Sequence, residues 1–127
     1  LEPLSLDQHY AYRRAVGQLR YILPERFDLA YAVWALSRDL AAPTIASWAK
    51  LKRLCRYLAG TLELRLVLRS SSEEGLNVVT YVDSDFAGDK ETRKSVSAAA
   101  IFLGGNAVAS YIRQQTVIAT SSCEAET

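Results

Sequence analysis

An apolar stretch that runs directly into three carboxylates restricts the fold of this chain more than any other feature. Residues 76–82 are uncharged and rich in Val, Thr and Tyr, which favours a β-strand too short to be a typical helix. Asp83 is still flanked by strand-forming residues. We predict a functional role for it, because a carboxylate at the end of a rigid strand commonly binds Mg²⁺. Asp85 and Asp89 are interpreted as turn residues.

The composition indicates one ordinary domain or two fragments of larger ones. Half of the 127 residues are apolar, so a core can form. No apolar run approaches the length of a membrane span, and the first residues do not resemble a signal peptide. No membrane partner is therefore expected. Cys55 and Cys123 form no metal-binding or disulfide pattern, which favours a reducing, intracellular compartment. The first residue is not Met, which suggests a piece of a longer protein.

The net charge of +1 conceals an asymmetry between the two halves of the chain. Residues 1–60 carry nine Lys or Arg and five Asp or Glu, whereas residues 61–127 carry six and nine. A basic half beside an acidic half suits a protein that holds an anionic polymer and performs metal chemistry on it. Alternatively, this charge imbalance between the two halves arises by chance, as it can in short segments.

Apolar residues spaced three and four apart predict three helices in the basic half. The predicted spans are 8–23, 28–41 and 45–59. The predicted N-caps are Asp7, Asp28 and Thr44, and Gly60 is the predicted C-cap of the third helix.

The third helix separates apolar from basic side chains. Its predicted buried stripe comprises Trp48, Leu51, Leu54, Cys55 and Leu58. The opposite side carries Lys50, Lys52, Arg53 and Arg56. Like charges three and four residues apart repel one another, and nucleic-acid phosphates would offset that repulsion. A merely solubilising face explains the pattern equally well.

The spacing of the apolar residues changes from helical to alternating after Gly60, so the predicted domain boundary lies at Gly60–Thr61. Residues 62–69 alternate apolar and polar, and with the polar loop that follows they predict a β-hairpin over residues 62–82. Further strands are predicted over residues 95–103 and 107–112, joined by a glycine-rich turn. Three successive strands of this kind form an antiparallel meander. Near the end, Ser121 and Glu124 have capping-box spacing, so a helix should begin there.

The order and spacing of eight motifs resemble the Pol polyprotein of copia-type retrotransposons, where the reverse transcriptase meets ribonuclease H. The motifs are YRRAVGQLRY (12–21), DLAYAV (28–33), LSR (36–38), RLCRYLAGT (53–61), DSDFAGD (83–89), RKS (93–95), FLGG (102–105) and SSCEAE (121–126). The resemblance covers roughly residues 8–127. No single motif is decisive, but together they are highly specific.

The resemblance implies a ribonuclease H fold in which four acids bind two Mg²⁺ ions and cut the RNA strand of an RNA–DNA hybrid. By position, Asp83 matches the first acid and Glu126 the second, so both are the implied catalytic and metal-binding residues. The other two acids would lie beyond Thr127. Residues 1–60 resemble the end of the reverse transcriptase region, which contains no polymerase active site.

These observations predict an α+β fold: N-terminal helices, then the antiparallel three-stranded first half of a ribonuclease H-like domain. The predicted domains are 1–60 and 61–127. The predicted function is a polyprotein fragment that is inactive alone, with weak or absent Mg²⁺ binding and with Glu126 mobile and apart from Asp83. The expected partners are an RNA–DNA hybrid or other nucleic acid, bound through Lys50, Lys52, Arg53 and Arg56, and the rest of the polyprotein.

Two alternatives remain open at this point. The chain could be a non-catalytic nucleic-acid-binding remnant, or a purely structural α+β domain with incidental acids. The expected location is the cytoplasm, in a virus-like particle, or the nucleus.

Overall fold

The computed structural model describes residues 2–70, 77–89 and 92–126, and the chain divides into two compact units between Leu66 and Val67. The first unit is helical, and the second contains a sheet and a short helix. The elements are α1 (Leu6–Tyr21), a 3₁₀ turn (Phe27–Leu29), α2 (Ala30–Arg38), α3 (Ile45–Gly60), β1 (Val78–Asp85), β2 (Val96–Leu103), β3 (Asn106–Gln114) and α4 (Ser122–Ala125). The predicted α+β class, with helices before an antiparallel three-stranded sheet, is confirmed.

The core of the helical unit joins α1, α2 and α3. Its buried side chains are Tyr12, Val16, Leu19, Leu29, Val33, Leu36, Leu51 and Leu54. The Tyr12 hydroxyl donates a hydrogen bond of 2.8 Å to the Leu36 carbonyl. Burial, assisted by the nearby Asp39 carboxylate, raises the pKa of Tyr12 to about 12. Among the helices described, none is both long and apolar enough to cross a membrane.

The helix ends differ from the predicted caps at three of four positions. Ser5, and not Asp7, is the N-cap of α1, because its side chain accepts a hydrogen bond from the Gln8 amide. Asp28 lies inside the 3₁₀ turn, so α2 begins two residues later without a side-chain cap. The N-cap of α3 is Thr44, as predicted.

At its other end, α3 continues through Gly60, the predicted C-cap, and that role falls to Thr61. The Thr61 amide donates to the Leu58 carbonyl, which satisfies one of the last carbonyls of the helix.

The predicted buried stripe of α3 is wrong at Cys55, which is exposed. Ser47, Leu51 and Leu54 are the buried residues of the helix. Their spacings of four and three place them on one face of the helix. Cys55 follows Leu54 directly, so its side chain lies beside this buried face and remains exposed. Trp48 is only half-buried.

The predicted hairpin is also wrong over its first half, since residues 62–70 form no strand. The side chain of Asn106 holds this segment instead. Its Oδ1 accepts from the Arg69 amide at 2.6 Å, and its Nδ2 donates to the Arg69 carbonyl at 2.7 Å. These two bonds take the place of a strand partner at that point. Residues 71–75 of the predicted polar loop, which spans residues 70–75, lie outside the described residues.

The sheet is an antiparallel meander in the order β1-β2-β3, as predicted. Positive φ angles of 53° at Gly104 and 78° at Gly105 form the tight turn between β2 and β3. β1 continues past its predicted end, so Asp83 lies opposite Ala98, two residues before the last residue of the strand, Asp85.

β1 is an edge strand, and within the described ranges it pairs only with β2. Val78, Tyr81 and Val82 are 65%, 65% and 73% exposed. An uncovered edge along the uncharged residues before Asp83 was expected from the sequence, and the structure confirms it over residues 78–82. Such edges favour pairing with a further strand.

Asp85, the last residue of β1, and Asp89, in the connection to β2, differ in burial. Asp85 ends β1, and its carbonyl accepts from the Gly88 amide, in agreement with the predicted turn. Asp89 is more than a turn residue, because it is only 4% exposed. Its carboxylate accepts from Gln114 Nε2 at 2.6 Å and from the Thr92 hydroxyl. It therefore ties the connection to the end of β3.

Candidate functional site

Asp83 and Glu126, the two acids singled out by sequence, line one cleft of about 590 Å³. Both side chains belong to exposed residues. Asp83 projects from β1, and its Oδ1 accepts a hydrogen bond of 2.9 Å from the Ser84 amide. Glu126 is the C-cap of α4. The structure thus brings together two carboxylates that are distant in the sequence.

The short helix α4 is fixed at its N-terminus by its own polar residues. The Ser121 side chain accepts from the Glu124 amide at 3.2 Å, which confirms the predicted cap. The Glu124 carboxylate accepts from the amide and the hydroxyl of Thr120, both at 2.7 Å. These bonds lower the pKa of Glu124. In a capping box the Glu124 carboxylate would accept from the backbone amide of the N-cap, Ser121. Here it accepts from Thr120, the residue before the N-cap.

The C-terminus of α4 is fixed by one side chain from β1, Ser84, and one from the residue after β3, Gln115. The Ala125 carbonyl accepts from Ser84 Oγ at 2.9 Å and from Gln115 Nε2 at 2.6 Å. Gln115 Nε2 also lies 2.9 Å from Ser97 Oγ. The expectation that Glu126 lies apart from Asp83 is therefore wrong, because the peptide unit before Glu126 is bonded to the residue after Asp83.

Sequence reasoning missed the roles of Ser84 and Gln115. The one available signal for Ser84 was its position directly after Asp83, a candidate metal ligand. Residues that neighbour metal ligands often orient those ligands through hydrogen bonds.

The donor set of this cleft fits one hard cation. Mg²⁺ prefers oxygen ligands and is often held by one or two carboxylates together with waters and substrate phosphates. Asp83 and Glu126 supply two carboxylates. Within residues 2–70, 77–89 and 92–126, no three His, Cys, Asp or Glu side chains are grouped to hold a metal. The residues present therefore do not complete a two-ion arrangement, which requires more carboxylates.

The basic side of α3 is exposed as predicted. Lys50, Lys52, Arg53 and Arg56 are all exposed. Lys52 Nζ lies 5.9 Å from the centroid of the Trp48 ring, a cation–π arrangement that leaves its charge available. Lys50 and Arg53 line a groove against α2, whereas Lys52 and Arg56 do not.

Several curated proteins are similar to nearly the whole chain. An uncharacterized mitochondrial protein of Arabidopsis thaliana is 36% identical over 115 residues, or 91% of this chain and 47% of that protein. The retrovirus-related Pol polyprotein from transposon RE2 of the same plant is 37% identical over 115 residues, which are 91% of this chain and 8% of that polyprotein. The secreted RxLR effector protein 161 of Plasmopara viticola is 38% identical over 116 residues, which are 91% of this chain and 80% of that protein.

The chain spans about half of the first of these relatives and a small part of the second. No protein-family model matches the sequence, and no solved structure matches the chain. Further Pol polyproteins, from transposons RE1 and TNT 1-94, are 36% and 35% identical over the same share of the chain. The resemblance found in the motifs is thereby confirmed: over 91% of its length the chain is similar to retrovirus-related Pol polyproteins of copia-type transposons.

Proposed function

We propose that this chain carries the end of a reverse transcriptase region in residues 1–60 and the first half of a ribonuclease H-like domain in residues 61–127. In this proposal, Asp83 and Glu126 contribute to cleavage of the RNA strand of an RNA–DNA hybrid. The observation that supports it best is the shared cleft of these two acids, which the family motifs align with the first two acids of such a nuclease. The rest of the Pol polyprotein supplies the remaining acids, and the proposed location is the cytoplasm or the nucleus.

The proposed roles of the residues follow from their contacts. Asp83 and Glu126 would hold Mg²⁺, and Ser84 and Gln115 would position Glu126 through the Ala125 carbonyl. When bound, Mg²⁺ offsets the charge of the phosphate and lowers the pKa of a bound water. Two carboxylates offset only part of the charge of two divalent ions, so the 127-residue chain is expected not to cleave hybrid by itself.

Nucleic-acid binding by α3 is the second component of the proposal. In the part of the chain that the structure describes, no ion pair is recorded for Lys50, Lys52, Arg53 or Arg56. Their charges are available to phosphates, which supply most of the affinity of proteins that bind nucleic acid without sequence preference. The same four cations also support the alternative of a non-catalytic nucleic-acid-binding remnant.

A chimera separates the two functions. Residues 61–127 would replace the corresponding segment of a Pol polyprotein with measurable ribonuclease H activity. We expect Mg²⁺-dependent cleavage of the RNA strand that falls about 100-fold or more with Asp83→Asn or Glu126→Gln. Asp85→Asn, which alters an exposed acid two residues from Asp83, is the matched control and should retain activity.

A folded chimera that binds hybrid without cutting it would contradict the nuclease proposal and favour the remnant. Cleavage that survives both acid substitutions would contradict the assigned roles of Asp83 and Glu126.

A further inference from the structure

A groove of about 580 Å³ lies between α2 and α3 in the helical unit. Its apolar lining comes from Leu29, Ala32, Ala35, Leu36 and Leu54. The two alanines lie three residues apart on one face of α2, and their small side chains leave the space open. A cavity of this size accommodates a small molecule or several side chains of a peptide.

The side walls of the groove are aromatic and exposed. Tyr31 and Tyr57 are 65% and 45% exposed, although both line an otherwise aliphatic surface. Tyrosine is enriched at protein interfaces because it combines a large apolar ring with a hydrogen-bonding hydroxyl. Exposed aromatic rings beside an apolar floor indicate a surface that another group covers.

The rim of the groove is positively charged. Lys50 and Arg53 lie one turn apart on α3, are exposed, and have no ion pair within the described ranges. Asp28, the acidic residue that lines the groove, does not neutralise these two positive charges. Asp28 accepts from Arg26 Nη2 at 2.8 Å and from the Tyr57 hydroxyl at 3.0 Å, so its charge is already offset. The groove therefore presents two unbalanced cations beside an apolar floor.

From this combination we infer that the groove between α2 and α3 is a docking site for an amphipathic peptide segment of another protein, with apolar side chains next to carboxylates. Aliphatic or aromatic anchors would fill the floor, and Asp or Glu side chains would pair with Lys50 and Arg53. This is the recognition of an amphipathic helix by a groove. Nucleic acid bound along α3 would place phosphates at Lys50 and Arg53 but would leave the aliphatic floor without apolar partners, so the peptide is the favoured occupant of the groove itself.

The test uses a library of random peptides of about twelve residues, a length that spans the three turns a helix lays in a groove. The library would be selected on the complete 127-residue chain. We expect selected peptides to combine aliphatic or aromatic residues with Asp or Glu. Their affinity should fall about tenfold or more for Ala35→Phe, which fills the groove, and for Arg53→Glu, which reverses a rim charge.

Arg14→Glu is the matched control for Arg53→Glu, because it reverses an exposed charge in the same helical unit outside the groove. It should leave peptide affinity within about twofold of wild type. Far-UV circular dichroism would establish that each variant folds. If Ala35→Phe fails to fold, the comparison of Arg53→Glu with Arg14→Glu still decides the outcome.

Three results would overturn the inference. The first is no enriched peptide, and the second is enriched peptides without acidic residues. The third is peptides that bind wild type and Arg53→Glu equally well. A short RNA–DNA hybrid that loses affinity with Ala35→Phe, in the absence of any enriched peptide, would assign the groove to nucleic acid.

Discussion

The Ser84 hydroxyl donates a hydrogen bond of 2.9 Å to the carbonyl of Ala125. Ser84 directly follows Asp83, and Ala125 directly precedes Glu126, so this one bond connects the immediate neighbours of both candidate ligands. The Gln115 amide donates to the same carbonyl at 2.6 Å. A helix of one turn has little stability of its own, and these contacts account for its position.

Ser84→Ala should weaken Mg²⁺ binding without removing either carboxylate. The substitution deletes one donor to the Ala125 carbonyl and should cost about 1 kcal/mol in the free energy of unfolding. The measurement is a Mg²⁺ titration followed by NMR at the amides of Asp83 and Glu126. Ser84→Thr retains the hydroxyl and is the control. Equal affinity in Ser84→Ala and wild type would refute the positioning role.

Asp89→Ala should destabilise the sheet unit by about 2–3 kcal/mol. The substitution leaves Gln114 and Thr92 without their buried acceptor, and hydrogen bonds to charged groups contribute more than neutral ones. Hydrogen exchange of the β2 amides is the appropriate measurement, because both Trp residues lie in the helical unit and do not report on the sheet. Asp85→Asn, at an exposed position, should change stability by less than about 0.5 kcal/mol. Similar effects of the two substitutions would contradict the buried role of Asp89.

The stability of the helical unit should depend on acid pH through Asp28. Hydrogen bonds from Arg26, and then from Tyr57, hold the pKa of Asp28 below its ordinary value of 3.8. A carboxyl with a lowered folded-state pKa stabilises the fold above its unfolded pKa, and this contribution disappears as the pH falls through the folded value. The stability difference between wild type and Asp28→Asn should therefore shrink from about pH 6 to about pH 3.

Urea unfolding monitored by Trp fluorescence measures this difference, since Trp34 and Trp48 both lie in the helical unit. Glu25→Gln removes an exposed carboxylate from the same connection and is the control. A difference between wild type and Asp28→Asn that stays constant with pH would show that the ion pair with Arg26 contributes nothing.

Local sequence determined part of this fold in a predictable way. Thr44 was identified as a cap because its side chain bonds to the backbone three residues away, which requires no distant partner. The turn at Gly104 and Gly105 was equally visible, because its positive φ angles favour glycine. Both strands beside that turn were therefore located closely.

The cap errors at Asp7, Asp28 and Gly60 are local, but the errors beyond residue 61 concern contacts between residues distant in sequence. The alternation in residues 62–69 predicted a strand, but a strand needs a partner, and the Asn106 side chain occupies that position at Arg69. Asp89 was interpreted as a turn residue because its partner Gln114 lies on another strand. Likewise, the two acids were identified from motifs, whereas the bond that brings them together depends on tertiary structure.

Binding of RNA–DNA hybrid should depend on salt through the basic side of α3. Lys52→Glu together with Arg56→Glu should reduce the slope of log affinity against log salt by about two, because each phosphate contact contributes about 0.9. Fluorescence anisotropy without Mg²⁺ measures this slope. Arg13→Glu with Arg14→Glu makes the same charge change at exposed positions of α1 and should leave the slope unchanged. An equal loss of slope in both pairs would indicate that only the overall charge matters.

Mn²⁺ titration followed by NMR tests most directly whether Asp83 and Glu126 bind one metal ion together. Mn²⁺ takes carboxylate and water ligands as Mg²⁺ does, and it broadens the signals of nearby nuclei. We expect the Asp83 and Glu126 amides to broaden together, and we expect this broadening to be reversed by excess Mg²⁺ and lost with either Asp83→Asn or Glu126→Gln. Broadening that centres on Asp85, or that persists unchanged in Glu126→Gln, would contradict this expectation.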